Sequence, residues 1–268
     1  LTVDADYYHD KTIDLVNDVS LSQTSGFSSY KDNMGEVLNQ GFELQVRGEV
    51  FRNRDWLVAL WGNMAHNKNK IVKISDSQRA YNQRVKDFYQ KGIVDMNYNG
   101  YEPQYAVPIS QYEEGQSLTS IWAVKSLGID PTTGKEIFLN RDGSVSDTWN
   151  ATQEVVVGNT EPKFNGSVGF NLAYKAWSLF AAFQYEWGGQ EYNQTLVDRV
   201  ENARIQYQNV DLRVLTDRWK QPGDIAQFKD IKNADNVTMP TSRFVQDKAY
   251  LRLSALTLSY DFNREWIK

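Results

Sequence analysis

The chain has 268 residues, 41% hydrophobic and 13% aromatic, with a formal net charge of −5 and no cysteine. That length can bury a core in one large β domain or two small ones, while the charge argues against nucleic-acid binding and the missing thiols exclude disulfides, thiolate metal sites and cysteine nucleophiles. No run of about 18 apolar residues occurs, which excludes a membrane-spanning helix but not a membrane β-barrel, whose lumen and loops are polar.

Period-two alternation predicts six strands. The first sets Leu1, Val3, Ala5 and Tyr7 against Thr2, Asp4, Asp6 and Tyr8. It begins without the basic and apolar regions of a signal peptide. In the second, Phe42, Leu44, Val46 and Val50 oppose Glu43, Gln45, Arg47 and Glu49. The third, from Trp56 to Asn67, places Trp56, Val58, Leu60 and Met64 on one face, although Leu57 and Trp61 blur the pattern. The fourth and fifth form a hairpin, with Val168, Phe170, Leu172 and Tyr174 matched by Leu179, Ala181, Phe183, Tyr185 and Trp187 across Lys175-Ala176-Trp177. The sixth is LTLSYDF, with Leu256, Leu258, Tyr260 and Phe262 on one side.

Tight turns at 51–55 and 175–177 alternate with long connections at 17–38, 68–163 and 188–248. All the long ones therefore leave the same end of the strands, as in an outer-membrane barrel with short periplasmic turns and long extracellular loops. Phe51, Trp56, Tyr174, Trp177, Phe262 and Trp266 gather at the short-turn end, where a membrane-interface girdle would lie. On this reading the apolar face meets lipid, and Arg47, Lys175 and Glu186 point into the lumen. The competing architecture is a soluble β-sandwich carbohydrate-binding module whose second sheet covers the apolar face.

Within the connections, residues 76–91 are expected to form a short helix ended by Gly92, and 193–219 a surface helix. Residues 120–144 read as two strands joined by Asp130-Pro131-Thr132-Thr133-Gly134, then an Asp142-Gly143 turn. Two histidines, His9 and His66, lack ligand spacing, so no metal or other cofactor is expected. Neither a nucleophile elbow nor a phosphate-binding glycine loop is present, so the chain reads as no enzyme. Binding is the better prospect. The loop aromatics Tyr101, Tyr105, Trp122, Trp187 and Tyr192 could stack on sugar rings or a peptide backbone, or could simply pack the loops.

DYYHDKTIDLV, TSGFSSYKDNMGEVLNQGFEL, NMAHNKNKIVKI, RWKQPGDIAQFKDI and TSRFVQDKAYLRLSALTLSY, taken in this order, resemble the SusC/RagA-like TonB-dependent outer-membrane transporters of Bacteroidetes. LTSIWAVKSLGIDPTTGKEIFLNRDGS is similar to that family's glycine-and-turn segment. The resemblance implies an antiparallel transmembrane β-barrel in the bacterial outer membrane, with residues 1–268 as the C-terminal portion of the barrel. The family's plug, TonB-contacting segment and final strands have no counterpart here. It further implies TonB-energised import of oligosaccharides or peptides, with a SusD-like surface lipoprotein as lid.

Overall fold

The computed structural model describes residues 1–20, 29–33, 35–90, 111–207, 209–233 and 238–262. Thirteen strands are found among them: β1 Thr2–Thr12, β2 Val16–Ser20, β3 Ser29–Asn33, β4 Gly35–Arg52, β5 Trp56–Ile74, β6 Ser120–Ala123, β7 Lys125–Ile129, β8 Glu136–Leu139, β9 Val145–Ser146, β10 Val155–Asn159, β11 Phe164–Tyr174, β12 Trp177–Tyr192 and β13 Val245–Tyr260. Six of them form one antiparallel sheet in the order β1-β4-β5-β11-β12-β13. These six are the expected spans.

Register makes the alternation a property of the whole sheet, because directly opposed residues share a face. Val3, Val46, Gly62, Val168, Phe183 and Leu253 line up across all six strands. The neighbouring row, on the opposite face, is Thr2, Arg47, Trp61, Gly169, Ala182 and Ala255. In the first row Val3 is 55% exposed, Val168 42% and Leu253 48%. Among the described residues no second sheet covers this face, which sets aside the sandwich. The sheet does not close on itself; β1 and β13 are its edges.

Trp61 explains one glycine. It stacks on Phe180 on the second face, centroids 6.2 Å apart, and a Cβ on Gly169 would stand 2.5 Å from the indole. A β-bulge absorbs Ser254 among the leucines of β13, and its hydroxyl donates to the Ala182 carbonyl at 3.0 Å.

Several strands run further than the alternation suggests. β4 starts at Gly35, β5 continues to Ile74 and β13 starts at Val245. Their loop-side ends carry residues such as Lys68, Asn69 and Lys70, where both faces are polar and the period-two signal vanishes. The 17–38 connection also contains the β2–β3 hairpin.

The remaining connections pack into a body with its own core. Helix α1, Asp76–Gln90, is capped by Ser75, whose Oγ accepts from the Gln78 amide at 3.1 Å; Gly92 lies outside the described residues. Val85, Phe88 and Tyr89 of α1 pack on Ala151. A second cluster joins Leu196, Val197, Val200, Ala203, Val214, Phe228 and Phe244. The expected surface helix over 193–219 is therefore corrected to short helical turns at 194–201 and 213–216, whose apolar side is core. The strand pair β7–β8 and the turns around it match expectation. Gly134 closes the first turn at φ +69, and a Cβ there would also strike the Trp219 ring at 2.5 Å.

Candidate functional site

Aromatic side chains mark both ends of the bare face. At the short-turn end Trp56 meets Tyr174 at 4.3 Å between centroids, Trp177 meets Tyr260 at 4.7 Å, and Tyr260 meets Phe262 at 4.8 Å. Phe51, opposite Val58, belongs to the same end, whereas Trp266 lies outside the described residues. Backbone bonds stitch this rim together. The Lys175 amide donates to Asp55 O at 2.8 Å, and the Asp261 amide donates to Ala176 O at 2.8 Å.

Lys175 itself is not on the lumen face. It sits at the tip of the β11–β12 turn with φ +52, and its Nζ lies 5.2 Å from the centroid of the Tyr174 ring, on the apolar side. The positive φ turns the side chain out of the pleat, and the ring face attracts the ammonium. Arg47 does stand on the opposite face, beside Thr2 and Trp61. Glu186 also stands there, 3.3 Å from Lys248 Nζ.

A second aromatic row, assembled only by strand pairing, crosses the apolar face near the loops. Tyr7 is opposite Phe42; Phe42 and His66 are 5.5 Å apart, His66 and Phe164 5.5 Å, and Phe164 and Trp187 6.4 Å. Each contributor lies on a different strand, so the row is visible only once register is known. From Trp56 to His66, and again from Trp177 to Trp187, the rows are about ten residues apart, roughly 33 Å along a strand. Strands tilted by about 40° reduce that to about 25 Å, the height of the apolar band of an outer-membrane barrel. Between the rows lie Leu60, Val168, Leu253, Leu256 and Leu258, each at least 42% exposed.

Above the second row, β11 has ended and the sheet parts. The opening is a cavity of about 680 Å³ whose walls include His66, Lys68, Glu161, Lys163, Trp187 and Gln190. Asparagines anchor the loops around it. Asn67 Oδ1 accepts from Tyr8 Oη at 2.9 Å and its amide donates to Glu161, while Asn69 Oδ1 accepts from the Leu118 amide at 2.8 Å. His66 Nδ1–H donates to Lys163 O at 2.5 Å.

Of the five candidate ligand aromatics, Trp187 lines this cavity and also ends the second row. Trp122, half-buried, is the cross-strand partner of Val156 in the β6–β10 pair; Val156 lines the cavity, and Trp122 stands next to it without forming part of the wall. Tyr192 is not available as a platform: its ring packs edge-on against Phe244 at 6.0 Å, in the loop core. Tyr101 and Tyr105 lie outside the described residues.

Deeper in the loop body a charged cluster ties three segments together. Arg243 donates to Glu136 at 2.9 and 3.1 Å and to Glu201 Oε1 at 2.6 Å, and Glu201 is fully buried. Burial alone would lower the Arg243 pKa, but the bonds to the two carboxylates outweigh it and raise the value. Elsewhere in the loop body, burial pushes the Glu154 carboxyl up to about 7, against an opposing pull from Arg141.

No protein-family model matches the chain. It is 26% identical over 277 residues to TonB-dependent receptor P3 of Formosa agariphila, covering 100% of this chain and 26% of that one. To TonB-dependent receptor P39 of the same organism it is 22% identical, covering 98% of this chain and 28% of the relative. The chain thus spans about a quarter of the length of the curated relatives it matches. In fold it is similar to the RagAB peptide transporter, with TM-score 0.69, 22% identity and coverage of 96% of this chain and 26% of that one. The closed-closed RagAB peptide importer gives TM-score 0.72 at 22% identity, over 99% of this chain and 27% of that one. The chain is thus similar in sequence to about a quarter of the TonB-dependent receptors P3 and P39, and its fold is that of part of the barrel wall, with its loops, seen in the RagAB transporter.

Proposed function

We propose that residues 1–268 form the C-terminal part of a barrel that imports peptides or oligosaccharides through TonB, beneath a SusD-like lipoprotein lid. The observation that carries this reading is the bare apolar face bounded by two aromatic rows, with polar residues and a roomy cavity on the loop side. A strand buried in a closed sheet satisfies its backbone internally, as hydrocarbon requires, and its second face is left to line an aqueous passage. Arg47 and the Glu186–Lys248 pair are among the charges it offers to that passage, with Asp4, Asp6, Glu43 and Arg252 on the same face. Phe51, Trp56, Tyr174, Trp177 and Phe262 settle at the periplasmic headgroups, and Trp187 at the outer ones. Similarity to receptors and to a transporter named for peptides supports import over catalysis and favours peptides as cargo.

The test is uptake by the native bacterium. Deleting the gene should abolish accumulation of fluorescent oligopeptides or oligosaccharides, and a copy unable to engage TonB should not restore it. Undiminished uptake of both cargo classes after deletion would refute the proposal.

A further inference from the structure

Cations stand immediately beyond the loop-side aromatic row, on the same face. Register places His9, Gln40 and Lys68 in the next row, and Lys11, Leu38 and Lys70 in the one after. Lys163 joins them from the segment before β11: its stem packs over Gly188, its carbonyl holds His66, and it shares the 680 Å³ cavity with Lys68 and Trp187. Lys11 is neutralised by Glu36 at 2.6 Å. Lys68, Lys70 and Lys163 are exposed and form no ion pair among the described residues, in a chain whose net charge is −5. The acids in the cavity wall are otherwise engaged, Glu161 by the Asn67 amide and Asp247 by the Gln190 amide at 3.2 Å.

From this arrangement we propose that Lys68, Lys70 and Lys163 form a binding site for the phosphorylated headgroup of a lipid in the loop-side leaflet. Lys68 and Lys70 continue the apolar face towards the loops, and Lys163 reaches the same cavity from the segment before β11. The aromatic row sits where acyl chains give way to headgroups, and an amphiphile there has its charged end level with the lysines. An ammonium at that depth gains most from a phosphate, and the cavity is large enough to receive the sugar that carries one. The proposal rests on the membrane placement of the apolar face but not on what the barrel imports.

Native mass spectrometry of the full-length receptor in detergent, titrated with diphosphorylated lipid A, tests it. A variant carrying Lys68→Gln, Lys70→Gln and Lys163→Gln should bind about a hundredfold more weakly, roughly fivefold per lysine. The corresponding triple arginine variant should bind like the parent, which separates loss of charge from loss of fold. Lipid A stripped of phosphate should bind the parent as weakly as phosphorylated lipid A binds the glutamine variant. Equal binding by parent and glutamine variant, or indifference to the phosphates, would overturn the site. Full competition by millimolar inorganic phosphate would overturn the lipid as its occupant. Uptake is unaffected by these outcomes, so failure here leaves the import reading standing.

Discussion

The wall and the loop body turn opposite sides to their surroundings. In the wall, leucines such as Leu251, Leu256 and Leu258 are more than 60% exposed, and the second face carries Thr2, Arg47, Asn63 and Gln184. In the loop body Phe244, Val197 and Val200 are essentially sealed, and even charged Glu201 is inside. The hydrophobic effect accounts for the second arrangement directly, at about 25 cal/mol per Å² removed from water. It accounts for the first only if the solvent on that face is hydrocarbon. Exposure in the wall and burial in the body are thus one rule applied in two solvents.

The largest way to break the contrast is inside the loop body. Arg243→Ala leaves Glu136 and Glu201 facing each other without their shared cation, and an uncompensated buried charge costs about 3–5 kcal/mol. Hydrogen–deuterium exchange on the full-length receptor should show residues 136–139 and 196–201 losing protection. The barrel strands should keep theirs, and the protein should still migrate as a folded barrel in unboiled gels. Loss of barrel migration would mean that body and wall fold as one unit.

The wall is probed by charge at mid-band. Phe170 lies between the aromatic rows, opposite Leu60 and Ala181. Phe170→Arg should cost roughly 2–4 kcal/mol in lipid and prevent assembly of the full-length barrel. Asn171→Arg, one residue on, points to the other face and should assemble normally. Equal tolerance at both positions would remove the lipid assignment.

How far this contrast could be read without coordinates depends on the range of the signal. Alternation is local, so the hairpin from Val168 to Phe183 and the facing residues of the wall were legible, as were α1 and the Asp130–Gly134 turn. The turn-end aromatics were legible too, because Trp56, Tyr174 and Trp177 flank short turns in the chain. The loop-side row was not. Tyr7, Phe42, His66, Phe164 and Trp187 come from five strands, and only pairing register brings them together. The same limit hid the Arg243 cluster, whose members Glu136, Glu201 and Arg243 lie far apart in sequence, and the commitment of Tyr192 to Phe244. Lys175 breaks the alternation because it sits one residue into a turn with positive φ, where the pleat no longer applies.

The smallest expected effect concerns pH and again separates the two regions. Glu154 is 4% exposed beside the α1–Ala151 core, and Arg141 reaches its backbone carbonyl rather than supplying a close ion pair. With a carboxyl at about 7 when folded and near its ordinary 4.5 when the body opens, the folded state holds the proton more tightly between those values. The opened state then binds fewer protons, so stability is greatest below pH 4.5 and falls as the pH rises towards 7 and beyond. From pH 5 to pH 8 the loss should be about 2 kcal/mol. Exchange protection of residues 81–89 and 149–154, corrected for intrinsic rates, should fall over this range in the parent and hold steady in Glu154→Gln. The strands between the aromatic rows should show no such dependence in either protein. A parallel decline in the variant would assign the pH response to another group.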